Sequence, residues 1–271
     1  MLLQIFDVQH GACALLSADN GRHLMIDCGH NASTGWRPGT YLRQLGLGSL
    51  EMLAITNYDE DHASGSADLF DNVEVRWLLR NVTVSPDVIQ TLKTKDGMGP
   101  GIARLVSAMR GYGPGPGSGG SSGAGPQPGI AYQTFCCKYP AFDDENNLSM
   151  ALYLNCHGVG VLFPGDLERP AFRELLKLDG FRAVLGATHI YVAAHHGRES
   201  GCSEELVPYL TNVRFVVISD TVHKYETQQT NSFYRQISHG GVFRGETRHV
   251  LTTRSDGDIT FNFSPRGWSV A

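Results

Sequence analysis

Three short clusters of acidic and imidazole side chains constrain this chain most, because each cluster directly follows a predicted β-strand. The clusters cover Asn57 to His62, Pro164 to Glu168 and His195 to Gly197. Side chains that follow strands of one sheet converge at its edge, where carboxylate oxygens and imidazole nitrogens can bind a metal ion. One such cluster alone is more typical of a solvated acidic turn or of surface histidines. The three together predict a metal centre at the edge of a sheet.

Short apolar runs separated by turn signals predict an α+β fold, with strands and helices in both halves of the chain. The runs at 2–8, 12–17 and 23–26 predict a meander of strands, and 73–79 predicts a further strand. A helix is expected to start at Ser85 and Pro86, which suit the N-cap and the first turn. Another is expected after Ser203, where two glutamates follow.

The chain has 271 residues, a length that suits one large domain. We therefore expect a single domain over 1–271. It is interrupted by a glycine-, proline- and serine-rich segment at about 111–129, in which 9 of 19 residues are glycine. Such a composition buries little apolar surface, so we expect a flexible surface insertion there.

Charge and cysteine content restrict the partners and the compartment. The formal net charge is -5, which provides no broad positive field for nucleic acid or anionic lipid. The six cysteines form no CxxC pair, which is typical of free thiols in a reducing compartment. The N-terminal stretch carries no basic leader and no apolar run of membrane-spanning length. We expect a cytoplasmic protein without a membrane partner.

The chain carries, in this order, the motifs DVQHGACALL, LMIDCG, ITNYDEDHASG, NNLSMALYL, VLFPGDLE, VAAHHG, VVIS and HVLTTRSDGDITF. This order resembles the metallo-β-lactamase superfamily. More narrowly, it is similar to the branch typified by the soluble C-terminal domain of bacterial competence DNA-uptake channel proteins. The resemblance covers nearly the whole chain outside the insertion. It implies a four-layer αββα sandwich with metal ions at one edge of the two sheets.

The HxHxDH motif of that superfamily falls on Asn57, Asp59, Asp61 and His62. Aspartate at the second histidine position, here Asp59, is usual for the competence-type branch. Asn57 at the first histidine position is a departure, and an amide oxygen is a weaker zinc ligand than an imidazole nitrogen. The resemblance implies two metal sites, and Asn57 is expected to weaken the first of them.

The resemblance implies a second site built from Asp61, His62, Asp166 and one of the neighbouring histidines His195 and His196. Strand alternation lets only one of the two neighbours face the ion, and we favour His196. Together the two sites imply two divalent metal ions. The oxygen-rich, sulfur-free ligand set suits manganese, with zinc as the other candidate.

Two further polar segments are candidates for substrate binding. Asn146, Asn147 and Ser149 resemble a polar segment of the competence-type branch that contacts substrate or braces the metal loop, although an ordinary turn before a strand fits equally well. A late histidine of the family maps near His223 and Lys224, which are candidates for holding a leaving phosphate. A surface His-Lys pair is the alternative there.

A metal centre of this kind predicts hydrolysis by an activated water. Asp61 is expected to orient that water, and His195 or His223 to protonate the leaving group. The resemblance favours a phosphodiester substrate, with DNA as a candidate. The alternatives are an amide, lactone or thioester hydrolase on the same fold, which an apolar pocket would favour over a basic groove. A third alternative is a sensor or scaffold whose first metal site was lost at Asn57.

Overall fold

A computed structural model describes residues 1–95, 97–112, 123–124, 130–221 and 230–271. The strands of the first part of the chain are β1 (Leu2–Ile5), β2 (Ala14–Ser17), β3 (His23–Ile26), β4 (Ser49–Leu50), β5 (Met52–Ala54), β6 (Glu74–Val75) and β7 (Leu78–Leu79). Those of the second part are β8 (Gly123–Ala124), β9 (Ile130–Cys136), β10 (Met150–Cys156), β11 (Val159–Phe163), β12 (Thr188–Val192), β13 (Phe215–Ile218), β14 (Gly241–Phe243), β15 (Glu246–Arg248), β16 (Val250–Thr252), β17 (Ile259–Ser264) and β18 (Gly267–Val270).

The α-helices lie between these strands. They are α1 (Pro38–Gln44), α2 (Glu60–Ala63), α3 (Ser66–Asn72), α4 (Pro86–Leu92), α5 (Pro100–Met109), α6 (Arg169–Leu175), α7 (Asp179–Gly186), α8 (Asn231–Gln236) and α9 (Thr253–Asp256). Helix α4 begins where the sequence predicts, because the Ser85 side chain accepts a hydrogen bond from the Val88 amide and Pro86 follows the cap.

Two seven-stranded sheets organise the described strands, in the orders β18-β17-β1-β2-β3-β5-β7 and β16-β13-β12-β11-β10-β9-β8. Strands β1 to β3 form the predicted antiparallel meander. Strands β3, β5 and β7 are parallel, and so are β11, β12, β13 and β16. Parallel strands end at the same edge of a sheet, so the loops after β11, β12 and β13 lie at one edge of the second sheet. The segment after β5 of the first sheet reaches the same place, because His62 contacts Asp166 there.

The sheets pack face to face, and helices cover both outer faces. Side chains such as Leu16 and Leu152 fill the space between the sheets. The opposite face of the first sheet packs against helices that include α3 and α5, and that of the second sheet against α6, α7 and α8. Because strands buried on both faces need apolar side chains on both, β11 is buried throughout. The predicted α+β fold, a four-layer αββα sandwich, is confirmed.

Two predicted elements differ from the structure. The predicted strand at 73–79 is divided, because β6 pairs with β4 while β7 pairs with β5 in the large sheet. The helix predicted after Ser203 is a single 3-10 turn, Glu204–Leu206. Pro208 lacks the N–H that a helical hydrogen bond to the Glu204 carbonyl would need.

Most of the predicted insertion at 111–129 lies outside the described residues, and so do His223 and Lys224. All six cysteines are free thiols, and five of them are buried. Within the described ranges, no helix combines the length and the apolar character needed to cross a membrane.

Candidate metal centre

Four of the predicted ligands meet at the edge where the parallel strands end. Asp61 and His62 lie on α2 after β5, Asp166 follows β11, and His196 follows β12. One ligand atom from each of these four residues lies within 4.8 Å of the others. His62 Nε2 is 3.0 Å from Asp166 Oδ1 and 3.1 Å from His196 Nε2. His196 Nε2 is 3.4 Å from Asp61 Oδ2.

The second nitrogen of each imidazole decides which atom faces the cluster. His196 Nδ1 lies 3.1 Å from the Ser219 carbonyl oxygen, which only accepts, so Nδ1 carries the hydrogen. His62 Nδ1 likewise donates to the Asp27 carboxylate at 2.9 Å. In the neutral imidazoles both Nε2 lone pairs therefore point at each other and at Asp166. A cation between them removes this repulsion, as in metal sites whose histidines donate their other N–H to a carboxylate or carbonyl.

The charges of the cluster also favour a bound cation. Burial opposes the charged form of the His62 imidazole, yet Asp166 and Asp27 raise its pKa well above the usual value. Burial likewise opposes ionisation of Asp166, but the two imidazoles lower its pKa to about 2. Without a metal ion, protons therefore supply the positive charge that the buried carboxylates require. A divalent ion can replace those protons, so the donor set fits a metal.

A left-handed turn, rather than strand alternation, separates His196 from His195. Strand β12 ends at Val192, and His195 and His196 have φ values of 50° and 52°. The His195 amide also bonds to the Gly165 carbonyl at 3.0 Å, which ties this turn to the loop that carries Asp166. His196 faces the cluster as predicted, although the reason differs. Backbone strain of this kind persists where the surrounding structure holds it in place.

Asn57 and Asp59 are held by other contacts. Asn57 Oδ1 accepts the Asp59 amide at 2.6 Å, and its Nδ2 donates to Ser149 Oγ at 2.9 Å and to the Glu145 carbonyl at 3.2 Å. The Asp59 carboxylate bonds to the Lys93 ammonium group. These contacts give no support to the expectation that Asn57 and Asp59 bind a second ion.

The predicted polar segment braces the centre. Ser149 Oγ accepts the Asp166 amide at 3.1 Å, so it links Asn57 to the loop of a cluster residue. Asn147 accepts the Ala171 amide at the start of α6 and therefore has a structural role. Asn146 donates to Glu168 at 3.2 Å, and its buried Oδ1 has no hydrogen-bond partner among the described residues.

His195 belongs to a basic group beside the cluster. Arg198 donates to His195 Nε2 at 3.0 Å and to His10 Nε2 at 3.1 Å. Burial and the Arg198 charge outweigh the neighbouring carboxylates and lower the pKa of His195. His10 Nε2 is 3.4 Å from Asp61 Oδ2, and the His10 ring lies 4.4 Å from that of His196. The Arg198 guanidinium thus sits at the rim of the centre.

Two acidic residues beside the cluster, Asp27 and Asp220, were not among the predicted site residues. Asp27 accepts from His62 and from both the amide and the hydroxyl of Thr56, at 2.7 and 2.5 Å. Asp220 is buried, lies 3.9 Å from His10 Nδ1 and is paired with Arg254 at 3.2 Å. Asp27 directly follows β3, and Asp220 comes two residues after β13. The position of an acidic residue just after a strand was the available signal.

A cavity of about 30 Å³ reaches the cluster and is lined by Thr56, His62, Asp166, His196 and other residues. A cavity needs roughly 10 to 15 Å³ to hold one water molecule. The space therefore suits one ion or a very small number of waters.

No protein-family model matches the sequence, and no curated protein matches it at a significant level. Solved structures do match. The chain is similar to zinc-bound PqqB from Methylobacterium extorquens, with a TM-score of 0.57 and 10% identity over 97% of this chain and 100% of that chain. It is similar to a proposed metal-dependent hydrolase from Parabacteroides distasonis, with a TM-score of 0.51 and 11% identity over 92% of each chain.

A third match is the metallo-β-lactamase fold protein YhfI from Bacillus subtilis, with a TM-score of 0.44 and 11% identity over 95% of this chain and 99% of that chain. Sequence identities of 10–11% support a shared fold and no shared function. The narrower resemblance to the competence-type branch stays a prediction. The two face-to-face sheets, the outer helices and the cluster at the edge agree with the architecture implied by the motifs. The chain has the αββα fold of the metallo-β-lactamase type.

Proposed function

We propose that this protein is a metal-dependent hydrolase that cleaves phosphodiesters, with DNA as a candidate substrate. The observation that carries the proposal is the convergence of the two Nε2 atoms of His62 and His196 on the Asp166 carboxylate. Two nitrogens and carboxylate oxygens, without sulfur, suit zinc or manganese, and PqqB is zinc-bound. A divalent ion bound there supplies an acidic water and neutralises negative charge on a phosphoryl oxygen.

Asp61 is the candidate for orienting that water. Its side chain is 25% exposed, whereas those of His62, Asp166 and His196 are 2–4% exposed. The open side of the centre is therefore the side of Asp61, and a substrate must approach there. A carboxylate oxygen on that side can accept a hydrogen from the attacking water and align it with the substrate.

The Arg198 guanidinium supports an anionic substrate over a neutral one. Its side chain reaches the rim on the side of Asp61, where its N–H groups meet His195 and His10. A guanidinium suits the charge and the shape of a phosphodiester oxygen pair. His195 holds this group through Nε2, so in this arrangement it positions Arg198 and has no Nε2 proton to give. Proton donation to the leaving group by His195 therefore requires that contact to break.

Other predicted residues complete the proposed substrate site. Asn146 presents a buried amide oxygen that a donor on the substrate can satisfy. His223 and Lys224, which lie outside the described residues, stay candidates for the leaving group. The free cysteines support a reducing, cytoplasmic setting for the enzyme.

The test compares two substrates and two aspartates. Metal-free protein receives zinc, manganese or magnesium, and hydrolysis of bis-p-nitrophenyl phosphate and of p-nitrophenyl acetate is followed. We expect phosphodiester cleavage that Asp166→Ala lowers by at least about 100-fold, since loss of a ligand's partner alone costs roughly 10- to 100-fold. Asp71→Ala, which removes a surface carboxylate paired with Arg104, is the matched control and keeps the activity.

Two outcomes contradict the proposal. Metal-dependent cleavage of the acetate ester without cleavage of the phosphodiester would favour the alternative of an ester, amide, lactone or thioester hydrolase. No turnover of either substrate with any of the three ions would favour the sensor or scaffold.

A further inference from the structure

The Lys93 ammonium group lies beside one of the residues that the superfamily motif assigns to its first metal ion. Lys93 directly follows α4, and its Nζ contacts Asp59 Oδ1 and lies 3.1 Å from Glu145 Oε1. Its side chain is only 11% exposed, so most of it is removed from solvent. A lysine held between two carboxylates in this way is part of the structure rather than a free surface charge.

The other ligand position that the motif assigns to this ion, Asn57, is also engaged in hydrogen bonds. The oxygen of Asn57, at the first histidine position of the motif, accepts the Asp59 amide. Its nitrogen donates to Ser149 and to the Glu145 carbonyl, so the whole amide is used in bracing the loops. A metal ion at this place would have to break the Asn57 bond, separate Lys93 from Asp59 and tolerate the ammonium charge nearby. The residues present do not fit a metal ion there.

We propose that the protein binds a single divalent ion, at Asp61, His62, Asp166 and His196, and that the Lys93 ammonium group replaces the second ion. The proposal rests on the metal centre of the proposed function and not on its substrate.

The physical basis is charge compensation. An ammonium group has three N–H donors and one positive charge, and two of the donors can serve the carboxylates of Asp59 and Glu145. Lysine at the carboxyl end of a helix such as α4 is further favoured by the helix dipole.

The experiment counts ions without measuring activity. Full-length metal-free protein is dialysed to equilibrium against zinc or manganese, and the ions per chain are determined by elemental mass spectrometry. We expect one ion in the wild type, one in Asp59→Asn and none in Asp166→Ala. Lys93→Met leaves Asp59 and Glu145 without their cation, and we expect it to take up a second ion. Lys93→Arg, which keeps the charge, stays at one.

Lys177→Met is the matched control, because Lys177 also pairs with a glutamate but at the surface, and it keeps one ion. Two ions in the wild type, loss of an ion in Asp59→Asn, or an unchanged count in folded Lys93→Met would each overturn the proposal. If circular dichroism shows that Lys93→Met does not fold, Lys93→Gln is used in its place. The ion counts of the wild type and of Asp59→Asn test the single-ion proposal without either lysine variant. One bound ion with no turnover would leave this inference standing and reject the proposed function, whereas turnover with two ions would do the reverse.

Discussion

The Asp27 carboxylate accepts the Nδ1 hydrogen of His62 at 2.9 Å and so turns the Nε2 atom of His62 toward Asp166, 3.0 Å away. The same carboxylate accepts two hydrogen bonds from Thr56. Asp27, which was not among the predicted ligands, thus fixes the orientation of His62, which was. This arrangement, a partner that orients a histidine ligand, is common in metal sites.

Asp27→Asn is expected to weaken metal binding by about 10- to 100-fold, as is typical for partners of histidine ligands. The amide has one acceptor oxygen in place of two, so at least one buried donor from Thr56 or His62 loses its partner. The free energy of unfolding should fall by about 1–3 kcal/mol. Metal affinity is measured by competition with a chromophoric chelator, and stability by urea unfolding.

The control for this prediction is Asp19→Asn. Asp19 also bonds an imidazole, that of His157 at 2.8 Å, but this pair lies at the surface. Unchanged metal affinity in Asp27→Asn would mean that Asp27 does not orient the ligand.

The stability of the metal-free protein is expected to fall as the pH rises above neutral. The pKa of His62 is raised well above its ordinary value of 6.5, because Asp166 and Asp27 outweigh the effect of burial. The stabilisation by protonated His62 is therefore complete below about pH 6.5 and is lost as the pH rises through the raised pKa. Asp166, with a pKa lowered to about 2, contributes stability above pH 3.8 that is lost as the pH falls through 2.

A metal ion reverses this dependence, because it must displace protons from His62 and His196. Added zinc or manganese should therefore raise the melting temperature more at pH 8 than at pH 6. Calorimetry with chelator or metal at each pH measures the difference. A metal-induced shift of equal size at both values would show that no imidazole proton is released on binding.

Gly29→Ala is expected to displace Asp61. A Cβ at Gly29 would lie 2.6 Å from the Asp61 carbonyl oxygen and 2.9 Å from that of Ala12, which is too close for backbone atoms to avoid moving. Overpacking of this kind costs about 1–3 kcal/mol. We expect lower stability together with weaker metal binding. Gly48→Ala is the control, because nothing lies within 4 Å of its Cβ.

Ser149→Ala is expected to cost about 1–3 kcal/mol of stability, because it leaves buried donors of Asn57 and Asp166 without their acceptor. Ser264→Ala, at an exposed hydroxyl, should be close to neutral. Thermal unfolding of both variants provides the comparison. Equal stability of the two would indicate that the link from Asn57 to the Asp166 loop contributes little.

Local patterns were enough to predict individual strands and helices of an α+β fold. The apolar runs of β1, β2 and β3 and the cap of α4 are properties of neighbouring residues, and the structure has them where they were predicted. The resemblance of the motifs implied that Asp61, His62, Asp166 and His196 would meet, and the structure brings these four side chains together after strands of both sheets. Turn geometry was not predictable in this way, and it is the left-handed turn that separates His195 from His196.

The first strands and the cap of α4 follow from the order of neighbouring residues, whereas the layers of the fold and the four side chains of the centre were implied by the resemblance of the motifs to a superfamily. The groups that surround those four side chains depend on the tertiary structure. Lys93 reaches Asp59 across 34 positions and Arg198 reaches His10 across 188. Such contacts depend on how helices and loops pack over the sheet edge. No local pattern encodes that packing, because a lysine or arginine has the same propensity whether it meets solvent or a buried partner.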